Sequence, residues 1–533
     1  MQFKQSNIKR ERVAVWLRFF LIIVLILGVF FRFVNIEQKL YWGDETFTSL
    51  RISGYTLPEF SQEILNGQII NSKDIQKFQK INSKKGLLDT IKGLAVEEPQ
   101  LTPIYFIIVR IWAQSFGDSV ATVRSLSVLI SLLVFPAIYW LCIELFQSSI
   151  VGWIAVALVA VSPIHLIYAQ QARPYSFWSL LILLSSAALL RAIRKKTKIS
   201  WITYAATILS ALYSHLLSVF VLIGHGIYII FTERFRFTKT VIAYLVVSSL
   251  VILALTPWIW LTIVYKESVA GMTDWMKFPI SSLILVKSWL KNICSILVYW
   301  NYEYEKRLLI SEDLFIIVFC LPILIFVIYA IVFLMNQKNL KVTLFIFTLI
   351  GVTASALMIP DLVFGGRRSV IDRYAFPCIL GIQIAIAYLL ANKGTNPNFK
   401  NFHRKLWQIF ATALISLGVI SCTIISQTQT WDGREDFIIQ ASHIINEKTH
   451  PLVVSDKMDD IMPLSYRLNS QVKLMIGVKS EIRFLKNNFS DVFVFQPSDT
   501  YLLKLKETQK LNPIYQHFSG NTLWIINKNK QKN

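Results

Sequence analysis

Long apolar runs separated by short polar connections make up most of this chain. Windows near the ~20 residues needed to cross a hydrocarbon core fall at Val13–Phe33, Val123–Leu145, Ile150–Tyr168, Tyr175–Ile193, Thr240–Thr262, Leu314–Met335, Val342–Ile359, Tyr374–Ala391 and Leu406–Ser426. Trp201–Phe231 is a longer apolar stretch interrupted by Tyr213-Ser214-His215, with Lys195, Lys196 and Lys198 before it and Arg234, Arg236 and Lys239 after it. Basic residues mark the cytoplasmic ends of spans. Two basic ends require an even number of crossings, so the stretch reads as a hairpin of two short spans. Pro103–Phe116 is short and carries Arg110. Treated as an interfacial or re-entrant helix, it leaves Lys4, Lys9, Arg10 and Arg12 and the clusters Arg191–Lys198, Arg234–Lys239, Lys338–Lys341 and Lys393–Lys405 all cytoplasmic. The first apolar run reads as an uncleaved span whose Arg18 and Arg32 snorkel to the two interfaces.

The expectation is a mainly α, polytopic membrane bundle of about eleven spans, occupying residues 1–426, with its N-terminus cytoplasmic. Two long outer loops follow, at about 35–122 and 266–313. The second contains Leu283–Trp300, apolar except for Lys287 and Lys291 one turn apart, which suits a helix lying in the interface. After Gln427 the apolar runs shorten and charge rises. Phe437–Glu447 and Thr500–Thr508 read as helices, and Leu452–Ser455, Val492–Phe495 and Thr522–Ile526 as strands. Residues 427–533 are therefore expected to form a small extracytoplasmic α/β domain, which carries no phosphate-loop or Rossmann glycine pattern and reads as a cap or an acceptor-docking module.

Composition narrows the class. Of 533 residues 54% are hydrophobic and 16% charged, against about 25% charged in soluble domains. The formal net charge is +22, and much of the surplus lies in short clusters beside the spans. That placement points to membrane lipid as partner and not to nucleic acid. Cys142, Cys294, Cys320, Cys378 and Cys422 show no CxxC spacing, so neither a zinc site nor a disulfide framework is indicated.

Four segments carry candidate chemistry, all outside the membrane in this topology. Tyr41-Trp42-Gly43-Asp44-Glu45-Thr46 places paired carboxylates just beyond the first span. A carboxylate there can take the proton of an attacking hydroxyl or amine, or simply solvate the helix exit. Glu98, before Pro99 and Pro103, can bind an acceptor amine or a metal. Without a neighbouring His the metal case is weak, and no metal ligand is assigned. Arg173 and Tyr175 occupy the short turn between the third and fourth spans. Arg367, Arg368, Arg373 and Tyr374 follow the Gly365-Gly366 pair. Arginines outside run against the orientation bias, and their forked donors suit phosphate. Isolated His215 and His225 read as hydrogen-bonded packing residues.

Together these segments resemble the membrane glycosyltransferases of the GT-C superfamily, over about residues 10–430. The nearest group is the bacterial branch that includes protein O-mannosyltransferase-like enzymes, the aminoarabinose transferase of lipid A and the galacturonosyltransferases of lipopolysaccharide core. Trp42-Gly43-Asp44-Glu45 matches the family's first-loop Asp-Glu, which implies Asp44 as catalytic base and Glu45 as a substrate contact. Glu98 to Tyr105, with Phe116-Gly117-Asp118-Ser119 and Arg124, resembles the family's juxtamembrane helix. Members often have His-Pro-Pro-Leu-Tyr where this chain has Leu101-Thr102-Pro103-Ile104-Tyr105. Tyr168–Tyr175 resembles the turn Tyr-Ser-Gln-Glu-Ala-Arg-x-Tyr, with Gln171 replacing Glu and Arg173 kept, and Arg373-Tyr374 matches a late Arg-Tyr pair.

The resemblance implies inverting transfer from a polyprenyl-phosphate sugar to a glycolipid, glycan or protein acceptor at the outer face of a bacterial cell membrane. No cofactor is assigned, and a divalent metal is the one left open. A lipid-linked saccharide flippase is the alternative from another class. It would place ionisable groups deep in the spans and show repeat symmetry, neither of which this sequence displays. A non-catalytic scaffold is the third reading.

Overall fold

The computed structural model describes residues 15–301, 309–395, 401–433, 435–477, 488–517 and 520–527. Lys4, Lys9, Arg10 and Arg12 of the topology argument lie outside them. The chain is mainly helical. Among the described residues seven helices are long and apolar enough to cross a membrane, namely Val120–Phe146, Tyr175–Lys195, Lys239–Val264, Glu312–Asn336, Leu340–Phe364, Asp372–Thr395 and Asn401–Gln427. An eighth candidate is bent, its halves Ser149–Ala160 and Pro163–Ala169 meeting at 62°. The remaining windows hold shorter helices: Val15–Phe33, and the hairpin Lys198–Ser214 and Ser218–Thr232, which turns at His215 in extended backbone.

The bend has a local cause. Pro163 has no N–H to continue the preceding helix, so carbonyls at the end of Ser149–Ala160 lose their partners. Arg32 supplies replacements, donating to Val159 O at 3.2 Å and Ala160 O at 2.8 Å. Its other bonds go to Gly28 O and Ser131 Oγ. Arg32 is only 1% exposed. The expectation that it snorkels is therefore corrected: four acceptors inside the bundle hold it there.

The first long loop is itself structured. Helix Gly43–Ser53 stops at Gly54, whose φ of 89° is a left-handed cap. A Cβ at Gly54 would meet Lys85 Cβ at 2.9 Å, so the chain reverses there against a close neighbour. Helix Leu57–Ile64 opens with a capping box between Thr56 and Glu59, and Leu87–Glu97 leads to Ile104–Phe116. In the last helix Arg110 is fully buried, donating to Ile52 O, Lys85 O and Thr90 Oγ1. In the second long loop, Lys287 and Lys291 of helix Ser282–Cys294 pair with Asp313 and Glu312 at the start of the next span.

A six-stranded sheet completes the fold. Its strands are β1 (Ile69–Asn71), β2 (Pro451–Ser455), β3 (Lys473–Ile476), β4 (Asp491–Phe495), β5 (Leu511–Gln516) and β6 (Thr522–Ile526), in the order β1-β3-β2-β4-β6-β5. Strands β3, β2 and β4 run parallel and the other pairings are antiparallel. Strands β2, β4 and β6 and helices Asp436–Asn446 and Asp499–Thr508 fall where the pattern places them. Three strands and helix Met458–Ser465 were not expected.

Strand β1 belongs to the first long loop, pairing Ile69 with Met475, and further ties bind the same loop to the C-terminal residues. Leu40 N–H donates to Gln429 O at 2.8 Å, Gln76 to Ser465 O at 2.9 Å, and Arg467 to Gln38 O at 2.6 Å. The rings of Tyr41 and Tyr466 meet edge-on at 5.0 Å. The loop that carries Asp44 and Glu45 is thus clamped by the C-terminal residues.

Candidate active site

Asp44 and Glu45 occupy the first turn of helix Gly43–Ser53, where unpaired N–H groups favour negative charge. One residue apart, they face different surroundings. Glu45 is fully buried. Its Oε1 accepts from Arg124 Nε at 2.8 Å and from Ala172 N–H at 2.8 Å, and its Oε2 accepts from Arg124 Nη2 at 2.6 Å. The same guanidinium donates to Ile36 O, Lys39 O and Leu40 O. Glu45 therefore pins three segments together: its own helix, the helix of Arg124, and the turn leading to Arg173. No carboxylate oxygen is left to meet a ligand, so its geometry suits a positioning residue better than the substrate contact expected from sequence.

Asp44 is the opposite case. Its side chain is 30% exposed, and Oδ2 lies 3.6 Å from Arg173 Nε and 3.6 Å from Arg373 Nη2. Those separations exceed hydrogen-bond range. Asp44 Oδ2, Arg173 Nε, Arg373 Nε and Trp42 Nε1 are all buried atoms with no hydrogen-bond partner among the described residues. Buried polar groups are paired in the great majority of cases. One orphaned carboxylate oxygen and three orphaned donors in this group of residues mark a place built for a ligand's polar atoms.

Each arginine is held by its other contacts. Arg173 donates through Nη1 to Asp44 O at 3.1 Å and Thr48 Oγ1 at 3.2 Å. Burial opposes its charge, but Asp44, Tyr175 and Glu98 together outweigh that, and the guanidinium is held more firmly protonated than usual. Arg373 lies over the rings of Trp42, Tyr175 and Tyr374, with centroid distances of 5.6, 5.5 and 5.9 Å. Asp372 fixes the backbone beneath it, accepting from Tyr168 at 2.6 Å, from Tyr299 at 3.1 Å and from Arg373 N–H at 2.8 Å. His215 closes one side, stacked on Trp178 at 4.3 Å and edge-on to Tyr374 at 5.8 Å. His225, by contrast, is bonded to Tyr204 and Ser186 as a packing residue.

The structure thus brings Asp44, Arg173, Tyr175, Arg373 and Tyr374 together. Glu98 stands beside them, close enough for its charge to act on Arg173, but its Oε2 is engaged by Arg51 Nε at 2.6 Å, and Arg51 also meets Glu97 at 2.5 Å. Arg367 and Arg368 are elsewhere. Arg367 stacks on Trp275 and Phe278 and donates to Trp275 O at 2.8 Å. Arg368 pairs at 2.9 Å with buried Asp361, which also accepts from Ser369 N–H and Oγ at 2.7 Å each. No contact among the described residues joins either to Asp44. Asp361 satisfies Arg368, and nothing in the local Gly-Gly-Arg-Arg pattern reveals that partner.

Trp42, Asp372 and Tyr299 were missed as site residues, although Asp372 directly precedes Arg373 and Trp42 stands two residues before Asp44. As to a metal, no group of three or more His, Cys, Asp or Glu able to hold one lies among the described residues. Among the described residues Asp44 and Glu98 are the acidic groups that act on Arg173, and Oε2 of Glu98 is engaged by Arg51. The residues present do not fit a protein-held divalent metal there.

Comparisons with known proteins bear on the same region. Residues 98–260 match the family model for dolichyl-phosphate-mannose-protein mannosyltransferase. The resemblance to GT-C glycosyltransferases therefore holds on a stretch that includes Glu98, Arg173 and Tyr175 and leaves Asp44 and Arg373 outside it. No curated protein matches. Among solved structures, ArnT from Cupriavidus metallidurans bound to undecaprenyl phosphate has 13% identity and a TM-score of 0.48, covering 97% of this chain and 99% of its own. Its apo form has 12% identity and a TM-score of 0.48, over 96% and 98%. The Archaeoglobus fulgidus oligosaccharyltransferase tethered with an acceptor peptide containing the NVT sequon has 12% identity and a TM-score of 0.49, over 96% and 74%.

Proposed function

We propose that this protein is a membrane glycosyltransferase that moves a sugar from a polyprenyl-phosphate donor to an envelope acceptor, a glycolipid, cell-wall glycan or protein, at the outer face of a bacterial cell membrane. The observation that carries this reading is the unbonded Asp44 Oδ2 lying between the guanidiniums of Arg173 and Arg373, whose Nε atoms are buried and unpaired among the described residues. Both guanidiniums keep Nε donors that Asp44 does not take, and such donors suit a second anion such as a lipid phosphate.

In this reading the donor phosphate takes the open donors of Arg173 and Arg373 and competes with Asp44 for them. The acceptor hydroxyl or amine gives its proton to Asp44 as its lone pair attacks the anomeric carbon. The bond from that carbon to the phosphate oxygen breaks on the opposite side, and the electron pair leaves with the polyprenyl phosphate. Charge growing on that oxygen is met by guanidiniums already in place, so little reorganisation is needed at the transition state. Inversion at the anomeric carbon follows from attack opposite the leaving group. Tyr175 and Tyr374 set the position of Arg373, while Glu45 and Arg124 hold the helix that presents Asp44. We assign the transfer reaction to residues 1–426 and a capping role to residues 427–533.

The test is transfer by purified protein in lipid nanodiscs, offered polyprenyl-phosphate sugars on one side of the assay and nucleotide sugars on the other. Transfer from lipid donors alone, with inversion seen by NMR of the product, is the expected result. Use of nucleotide sugars, or retention of configuration, would overturn the reading. Mass spectrometry of envelope glycans and glycolipids from a deletion strain then names the acceptor.

A further inference from the structure

Two histidines share the hairpin that turns at His215, and they are bonded differently. His225 is 3% exposed and uses both ring nitrogens, Nδ1 meeting the Tyr204 hydroxyl at 3.1 Å and Nε2 the Ser186 hydroxyl at 3.2 Å. His215 is half-buried. The one hydrogen bond its ring makes among the described residues is accepted by Nδ1 from Leu217 N–H at 3.3 Å. A neutral imidazole carries one N–H, and a nitrogen that accepts cannot hold it. The proton of His215 therefore sits on Nε2, at the outer end of the ring, where no described residue accepts it.

The ring is nevertheless held in place. Helix Lys198–Ser214 ends as His215 takes extended backbone. Its N–H donates to Ala211 O at 2.9 Å, and its carbonyl accepts from Ser218 N–H at 3.0 Å. One face of the ring rests on Trp178, with centroids 4.3 Å apart and planes at 17°. Trp178 is fully buried and is itself fixed, since its Nε1 donates to Ser218 Oγ at 2.8 Å. Tyr374 and Tyr175 flank the imidazole at 5.8 and 6.0 Å. Packing thus orients a donor that the fold does not use, whereas His225 spends both nitrogens on the fold.

Position selects what the donor meets. Arg373 lies over three rings, those of Trp42, Tyr175 and Tyr374. Trp42 belongs to the Asp44 segment, and His215 touches only the other two. Burial and the charges of Arg173 and Arg373 keep the imidazole from taking a second proton, and Asp44 is not among the charges that act on it. His215 therefore stands at the guanidiniums on the side away from the carboxylate. In an inverting transfer the base and the leaving group face opposite sides of the anomeric carbon, so this is the leaving-group side. We propose that His215 binds the phosphate of the polyprenyl-phosphate donor, giving one of its oxygens a neutral hydrogen bond from Nε2 beside the charged contacts of Arg173 and Arg373. The assignment rests on the transferase reading. As the bond from the anomeric carbon to the phosphate oxygen breaks, the electron pair stays on that oxygen and His215 keeps its proton. An oriented N–H steadies the growing charge without a third cation to hold the product.

The test is titration of a polyprenyl phosphate against the full chain in nanodiscs, with the uncharged polyprenol as control. His215→Phe keeps a ring on Trp178 and removes the donor. Its affinity for the phosphate lipid is expected to fall about tenfold or more, as for a lost hydrogen bond to a charged group, while its binding of polyprenol and its melting temperature stay near wild type. His215→Gln gives up the stack but carries an amide N–H to the place of Nε2, and should recover most of the affinity. A purely structural histidine requires the reverse order, with Phe tolerated and Gln not. Affinity of His215→Phe within about threefold of wild type, equal losses for lipid with and without phosphate, or a Gln variant no better than Phe would each overturn the proposal. Should His215→Phe unfold, His215→Asn replaces it: its amide is too short to reach, so Gln must bind better than Asn, and equal affinities refute the contact. A wild type that binds no polyprenyl phosphate brings down the transferase reading as well. One that binds it as tightly as His215→Phe removes His215 alone.

Discussion

Asp44 and Glu45 are adjacent acidic residues on one helical turn, yet their surroundings are opposites. Around Glu45 both oxygens are filled by Arg124 and Ala172 N–H, and both charged side chains are fully buried. Around Asp44 two arginines stand 3.6 Å from the carboxylate without bonding it, and several polar atoms have no partner among the described residues. The difference teaches that charge and burial do not by themselves distinguish a structural ion pair from a ligand site. Saturation does: a closed hydrogen-bond set holds the fold, and an open one waits for another molecule.

The sharpest way to break this contrast is Asp44→Asn. If the open carboxylate is the base, turnover should fall by about 10²- to 10⁴-fold, the usual contribution of a positioned proton acceptor. The melting temperature should stay near wild type, because no filled hydrogen bond is lost. Single-turnover transfer from a polyprenyl-phosphate sugar measures the first quantity and scanning calorimetry the second. An active Asp44→Asn protein would remove the distinction altogether.

Glu45→Gln should show the reverse profile. It leaves the Arg124 charge buried without its counterion, a change that costs about 3–5 kcal/mol of stability. Molecules that remain folded should turn over at close to the wild-type rate. Should the variant melt normally but lose activity, Glu45 would return to the list of substrate contacts.

Arg173→Ala and Arg373→Ala come next. Each forfeits a charge-assisted contact worth about 1.5–3 kcal/mol, or roughly 10- to 150-fold in the donor requirement. Titration of a polyprenyl phosphate against nanodisc-embedded protein reads this directly, and an unchanged affinity would exclude that arginine from the site. The smallest effect is expected of Arg367→Ala. Its guanidinium stacks on Trp275 and Phe278, so donor affinity should change by no more than about threefold, within the ordinary range for a surface substitution.

How far the sequence could carry these distinctions depended on distance along the chain. The spans were legible because hydrophobicity over a window is a local property, and the hairpin turn at His215 falls where Tyr213-Ser214-His215 interrupts the apolar run. The cluster at Asp44 was legible in part, since Asp44, Arg173 and Arg373 each sit in a motif beside a span. What stayed hidden were partners. Arg32 reads as an interfacial residue until the carbonyls freed by Pro163 lie next to it. Arg368 and Arg373 look alike in sequence, and only Asp361 tells them apart. Strand β1 has three residues with an exposed outer face, too short to signal a pairing with a segment so far downstream.

That pairing has a consequence for how the protein is made. Ile69 and Met475 are on the order of 400 residues apart, and at typical synthesis rates tens of seconds separate their emergence from the ribosome. The loop bearing Asp44 is among the first parts to appear and the last to be fastened. Throughout elongation it has only its own helices and the growing bundle for support. A nascent chain cut short between Tyr374 and strand β2 therefore carries every residue of the Asp44 cluster without the clamp on their loop. Pairing of β1 with β3 is thus a late step that fastens the loop of the centre.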